Sequence, residues 1–303
     1  MIRVIADTEK SSTDIPQLSY AEGFDNPFKR GLVRLIESLS GQPKLQRLYE
    51  AYRTNPGDEA FFSAAVRLLE LDVKYDLERL QQMPASGPLV VVANHPFGVL
   101  DGLLIAWLVS LRRSDFKILT NAVLDATPET KEWFLPIDFA PTREARSVNL
   151  ATRADCLTRL SNGECIIVFP AGGISTAPTP FTKAAVDDHW KPFTAKLITR
   201  SGAYVTPVYF EGQNSRIFQV ASHIGLEFRS ALIFREVERR IGTTVPIQIG
   251  ETLSPEQLLT VGRRHDMMSF LRDRTYGMAT EATQKELATA QARYSRKKPA
   301  IFN

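Results

Sequence analysis

The sequence predicts an α/β fold: a mixed, largely parallel central sheet flanked by helices, with N-terminal and C-terminal helical appendages. Three observations carry that prediction. Leu89–Ala93, Cys165–Phe169 and Tyr204–Phe210 are short, apolar, β-branched or aromatic runs, the pattern of interior strands buried on both faces. Helix-compatible segments separate them, and alternating strand and helix patterns belong to parallel sheets. The runs end in histidine, a glycine pair or a polar turn, where ligands sit in open α/β sheets.

In chain order, Met1–Asp25 is polar and without period, and is expected to be extended or loosely packed. After Asn26-Pro27, the residues Leu32, Leu35, Ile36 and Leu39 share one helical face, flanked by Lys29, Arg30 and Arg34, and Gly41 and Pro43 end the pattern. Pro56-Gly57-Asp58 opens another helix, with Phe61, Phe62, Ala65, Leu68 and Leu69 at helical spacing. Such helices either lie on a bilayer, cations toward anionic headgroups, or pack on the rest of the protein. Strands are expected near 89–93, 117–120, 165–169, 204–210, 226–229 and 245–249. Helices are expected near 101–113, 128–134, 146–161, 191–201 and 230–241. Ser254-Pro255-Glu256 opens a helical region to about Tyr276, a further helix covers Ala279–Tyr294, and Ser295-Arg296-Lys297-Lys298-Pro299 is a basic tail. The expected organisation is residues 1–80, a helical and membrane-associating region; 81–255, the α/β catalytic domain; and 256–303, helices and tail.

The chemistry starts where the first long strand stops, at Asn94-His95-Pro96-Phe97-Gly98-Val99-Leu100-Asp101. Pro96 and Gly98 permit a tight turn. Asp101 then lies at the start of the apolar helix Leu103–Leu111, a favoured place for a carboxylate. This layout brings an imidazole and an acid together at a sheet edge, and a histidine held by a carboxylate can take a proton from a hydroxyl. An isolated pair at this spacing also fits a structural histidine and a plain N-cap. Downstream, Phe169-Pro170-Ala171-Gly172-Gly173-Ile174-Ser175 follows a second strand, and its glycines suit close approach of a ligand to backbone amides. Ser175 stands outside any nucleophile-elbow pattern. Glu211 follows the third strand and is a candidate for touching substrate.

Composition sets bounds. In 303 residues, 44% hydrophobic and 23% charged content suits a soluble fold with a large core. A net charge of +3, with 34 acids diluting the bases, gives no support to nucleic-acid binding. No signal peptide and no transmembrane run is expected. Cys156 and Cys165 suit a reducing compartment, and Cys165 reads as a core thiol. His189, His223 and His265 are scattered, so no metal site is expected, and Asp187-Asp188-His189 reads as a polar loop.

Taken in order, these motifs resemble the glycerolipid acyltransferases, the PlsC-like group typified by lysophosphatidate acyltransferases. Asn94-His95 with Asp101-Gly102 is similar to its catalytic motif, Phe169–Ser175 to its F-P-E-G-T-R-S motif, and Val205-Thr206-Pro207-Val208 to its last motif. The resemblance covers about residues 85–215. It implies that His95 is the general base and Asp101 its orienting acid. It also implies that Asn94, Phe97, Gly98, Phe169, Pro170, Gly172, Gly173 and Ser175 border the substrate. Backbone amides near Gly98, or in the Gly172-Gly173 loop, would stabilise the oxyanion. The departures are informative. The His–Asp spacing is one residue longer than the family's common pattern, and Ala171 and Ile174 replace its Glu and Arg. The second family motif is best matched by Leu135–Arg143, with Arg143 or Arg146 as the acceptor-binding cation. These departures, with Phe210-Glu211-Gly212-Gln213-Asn214-Ser215, look like the hemolysin-like or lyso-ornithine-lipid acyltransferase branch.

The resemblance therefore implies an O-acyltransferase moving a fatty acyl group from acyl carrier protein or coenzyme A to the hydroxyl of a lyso-aminolipid. It would use no cofactor and would act peripherally on the cytoplasmic side of the inner membrane. Two other readings compete: a lysophosphatidate acyltransferase with its phosphate on Arg143, Arg146 or another arginine, and a non-catalytic membrane-binding hemolysin-like protein.

Overall fold

A computed structural model describes residues 18–21, 24, 26–121, 128–138 and 142–297. The extended segment expected before Asp25 and the end of the basic tail lie almost wholly outside these residues. The first described helix is α1 (Pro27–Ser38), whose Asn26 side chain accepts from the Phe28 and Lys29 amides. The sequence pattern ends at Gly41-Pro43, but the chain resumes helix at once as α2 (Gln42–Thr54), with Pro43 in its first turn. Gly41 is required there. It sits at φ +50°, and a Cβ would lie 2.7 Å from the Phe234 carbonyl oxygen. Next come α3 (Phe61–Leu68), β1 (Asp72–Lys74) and α4 (Leu77–Gln82).

The sheet elements and their connections follow: β2 (Leu89–Ala93), α5 (Val99–Ser110), β3 (Phe116–Asn121), α6 (Pro128–Lys131), β4 (Phe134–Ile137), α7 (Arg143–Ser161), β5 (Cys165–Val168), α8 (Pro192–Ser201) and β6 (Tyr204–Phe210). Three short helices, α9 (Arg216–Ile224), α10 (Leu226–Ala231) and α11 (Ile233–Glu238), precede β7 (Thr244–Ile249). The chain closes with α12 (Pro255–Leu259), α13 (Arg264–Tyr276) and α14 (Glu281–Lys297). Among the described residues the strand order is β1-β7-β6-β2-β5-β3-β4, and every pairing is parallel except β6 with β7.

Strand period explains the two layers. In β2, Leu89, Val91 and Ala93 pack with α5 and with Leu45 and Phe62 from α2 and α3 on one face. Val90 and Val92 turn to the other face, with Ile166, Val205 and residues of α7, α8 and α13. Pro207 is tolerated in a central strand because the β7 ladder is interrupted there. Pairing with β7 starts at Val208–Ile249, and Pro207 contributes only its carbonyl, to Gly250 N at 2.8 Å.

Four expectations need correction. Residues 226–229 form α10, not a strand: Leu226-Glu227-Phe228-Arg229 alternates over too few residues to specify one. The helix expected at 128–134 is only α6, and its last residue, Phe134, begins β4, in register beside Ile118 of β3. The helix expected at 230–241 is broken at Leu232, and the C-terminal helical region is broken between α12 and α13.

Candidate active site

β2 sits between β5 and β6, so its carboxyl end opens between two neighbouring strand ends. Asn94 follows. Its side chain donates to the Phe210 carbonyl at 2.9 Å and accepts the Phe210 amide at 2.7 Å, locking the turn to β6. His95 comes next, and the turn through Gly98 (φ +76°, ψ −122°) carries the chain into α5. The positive φ favours glycine at 98, and a Cβ there would press on Ile174 Cδ1 at 2.7 Å and make that side chain shift.

Asp101, in the first turn of α5, is completely buried. Its Oδ2 accepts the amides of Phe97 at 2.7 Å and Gly98 at 2.9 Å, and lies 3.0 Å from His95 Nδ1. The two groups are in contact as an ion pair, and Asp101 Oδ1 has no hydrogen-bond partner among the described residues. Burial pushes the Asp101 carboxyl above its usual range, against the opposing pull of His95 and the two amides. The ring stacks on Phe169, with centroids 4.1 Å apart and planes at 27°. With Nδ1 buried beside Asp101, the exposed edge is the Nε2 side.

That edge borders a cavity of about 750 Å³, within the range of ligand pockets. Its walls are mainly apolar: Leu48, Tyr52, Phe61 and Leu68 from α2 and α3, Leu103 from α5, and Ile233 from α11. A proton acceptor braced by a buried acid thus faces a space suited to a fatty chain.

The family model described as acyltransferase matches residues 43–283 of this chain. The chain belongs to the acyltransferase family. It is 23% identical over 210 residues to a lyso-glycine lipid O-acyltransferase of Phocaeicola vulgatus, covering 68% of this chain and 71% of that protein. It is 27% identical over 171 residues to a lyso-glycine lipid O-acyltransferase of Bacteroides thetaiotaomicron, covering 54% of this chain and 59% of that one. Among solved structures it is similar to the 1-acyl-sn-glycerophosphate acyltransferase PlsC of Thermotoga maritima, with a TM-score of 0.47 and 18% identity over 86% of this chain and 89% of that chain.

In this acyltransferase, His95, Gly98, Phe169, Pro170, Gly172 and Gly173, among the residues expected at the site, line the cavity. The other expected substrate residues do not. Asn94 is spent on Phe210, as above. Phe97 is buried in the core under the Arg240 guanidinium, 4.1 Å from its ring centroid. Ser175 is buried and donates to Asp187. Glu211 accepts from the Thr280 amide and from the Thr280 and Thr283 hydroxyls, so it anchors the start of α14. Arg143 and Arg146 are exposed in the first turn of α7 and lie off the cavity, while part of the motif segment before them falls outside the described residues. The Phe97 and Gly98 amides are held by Asp101 and that of Gly172 by the Phe169 carbonyl, so these three amides are already engaged. Burial pushes the Cys156 and Cys165 thiols up to about 12, which removes both as thiolate nucleophiles at neutral pH.

Two residues escaped sequence reasoning. Asp187, expected in a polar loop, is a buried clasp. It accepts the His95 amide at 3.2 Å, the Ser175 hydroxyl at 2.5 Å and the Trp190 indole N–H at 2.8 Å. Arg229 lines the cavity and donates to the Ile174 carbonyl at 2.7 Å. Neither position carries a local signal, because the partners that tie them to the site, His95 and Ile174, are 92 and 55 residues away.

Proposed function

We propose that this acyltransferase moves a fatty acyl group from an acyl thioester, on acyl carrier protein or coenzyme A, to the hydroxyl of a lyso-aminolipid. A lyso-glycine lipid is the favoured acceptor, following the names of the two curated relatives. The observation that carries the reaction is the His95–Asp101 pair opening on a large apolar cavity. His95 Nε2 takes the acceptor's hydroxyl proton as its oxygen attacks the thioester carbonyl carbon. Buried Asp101 stabilises the imidazolium that forms. The tetrahedral intermediate collapses, the C–S bond breaks, and the thiol leaves with the proton from His95. An ester replaces a thioester, and no covalent enzyme intermediate is needed.

Arg143 and Arg146 lie away from the cavity and Ile174 brings no charge to its rim, so a lysophosphatidate acceptor would have to place its phosphate on Arg153 or Arg229, which line it. Membrane access completes the proposal. No helix among the described residues is long and apolar enough to cross a membrane. Phe28, Leu35 and Leu39 on α1, Ile217, Val220 and Ile224 on α9 and Leu226 on α10 are nevertheless exposed, and α10 touches both other helices. This surface, beside the basic Lys29, Arg30 and Arg34 of α1, suits peripheral docking on the cytoplasmic face, where thioester donors are supplied.

The deciding experiment supplies the purified protein with acyl thioester and lyso-glycine lipid. A diacylated product is expected, and His95→Ala should lower its rate by at least ~10²-fold with the fold intact. Efficient acylation of lysophosphatidate with none of the lyso-aminolipid would overturn the acceptor assignment.

A further inference from the structure

One cation in the cavity wall has no part in proton transfer. Arg229, on α10, lines the same cavity as His95. One edge of its guanidinium is fixed: Nη2 donates to the Ile174 carbonyl at 2.7 Å, and the group lies 5.7 Å from the Phe218 ring centroid. No carboxylate among the described residues pairs with it. Burial draws its pKa down from the ordinary arginine value with no opposing charge to offset the effect. Arginine stays protonated all the same. A desolvated cation without a counter-ion is costly, and its remaining N–H donors need acceptors.

Its attachment point matters. Ile174 precedes Ser175, whose amide donates to the His95 carbonyl at 2.8 Å, and the Ile174 side chain packs on Gly98. Arg229 is therefore tied to the loop that borders the imidazole. An acceptor placing its hydroxyl at His95 would bring nearby atoms of its head group into reach of Arg229.

We propose that Arg229 is the counter-ion for a carboxylate on the acceptor's head group, selecting carboxylate-bearing lyso-lipids and placing their hydroxyl at His95. This rests on the lyso-aminolipid reading above. A carboxylate is a planar monoanion that a guanidinium edge meets with two parallel hydrogen bonds. A phosphate monoester carries about −1.5 to −2 and would leave excess negative charge beside one partly buried cation. The other cavity cations, Lys191 and Arg153, are exposed, and Arg153 lies over the Phe193 ring.

The test compares wild type, Arg229→Gln and Arg229→Lys on an N-(3-hydroxyacyl)glycine and on its methyl ester, which keeps the chain and hydroxyl but loses the charge. Arg229→Gln should raise KM for the acid about 10- to 100-fold, leave the ester within about twofold, and retain the wild-type melting temperature; Arg229→Lys should fall between. No change on the acid, or equal losses on acid and ester, would overturn the inference. So would a larger dependence on Arg229 with lysophosphatidate than with the glycine acceptor. If wild type acylates neither glycine compound, the reading above fails, and calorimetry still decides the role of Arg229. A long-chain N-acylglycine without the hydroxyl should then bind about tenfold more tightly than its methyl ester, and Arg229→Gln should erase that preference. Equal binding by wild type would sink the assignment.

Discussion

The carboxylate of Asp187 accepts the backbone N–H of His95, so the strand end that carries His95 is held by two buried acids, one on the main chain and one beside the ring. Asp187 also gathers Ser175 and Trp190, while its own amide donates to the Tyr276 hydroxyl and its carbonyl accepts from Arg272 of α13. Asp187→Asn keeps one acceptor oxygen but cannot serve the amide, the hydroxyl and the indole together. An unmet buried donor costs about 1–3 kcal/mol, and a small displacement of a catalytic group can cost ~10²-fold in rate. The expected result is a lower melting temperature and a fall in kcat, with KM for the thioester little changed. Steady-state kinetics beside a thermal melt reads both.

Asp101 shows the opposite balance between function and stability. Burial raises its carboxyl pKa, so the folded state binds that proton more tightly than the unfolded chain. Its contribution to stability is fully present below the unfolded value, near ~3.9, and is lost as pH rises through the folded value. In Asp101→Asn the titration disappears, while the side-chain oxygen still accepts from Phe97 and Gly98. The unfolding free energy of wild type minus that of Asp101→Asn should fall with pH across this window and then level. Activity should drop ~10²–10⁴-fold, because the imidazolium loses its counter-charge. A difference that rises with pH in denaturant titrations would contradict the assignment.

The sequence made the strands of the sheet's centre and the His95–Asp101 pair legible because each is local: apolar runs specify β2, β5 and β6, and a short turn joins histidine to acid. What it concealed is tertiary. The short edge strands β1 and β4 carry too few residues for a period and exist through pairing with β7 and β3. α2 hides because Gly41 and Pro43, read as a stop, are also a helix start. Asp187 and Arg229 are single charges within a chain of 34 acids and 37 bases, and only the fold selects them for burial. Glu211 misled in the other direction: the strand-end rule places it correctly, but its side chain turns to α14.

That orientation of Glu211 yields a separable prediction. It meets the amide and hydroxyl of Thr280, just before α14, and the hydroxyl of Thr283 in its first turn. Glu211→Ala should loosen the helix start by about 1 kcal/mol, as loss of a cap does. Amide exchange should quicken in α14 while kcat and KM stay within about twofold. A large rise in acceptor KM would instead return Glu211 to the substrate.

The exposed apolar residues of α1 and α9 should govern membrane residence rather than chemistry. Replacing Phe28 and Leu39 with Ser removes two side chains that are each 80% exposed, so the fold loses little. Binding to vesicles containing an anionic phospholipid should weaken by about tenfold or more, measured by co-sedimentation. Turnover of a detergent-dispersed acceptor should be unchanged. Equal retention of both proteins on vesicles would place the membrane contact elsewhere.

The wall of the cavity built by α2 and α3 should set the length of the acyl chain it admits. Ala65 of α3 lines it among Leu48, Tyr52, Phe61 and Leu68 and remote from His95 in sequence. Ala65→Trp fills space that a chain would occupy without touching the proton-transfer pair. Added bulk in a packed apolar site costs about 1–3 kcal/mol, equivalent to roughly 10- to 100-fold discrimination against the longer chain. Competition between short and long thioesters, and between short and long acceptors, followed by mass spectrometry, identifies which chain lies there. A shift confined to the donor assigns the cavity to the transferred acyl group, a shift confined to the acceptor assigns it to the resident chain, and unchanged profiles for both would mean that neither chain enters this part of the cavity.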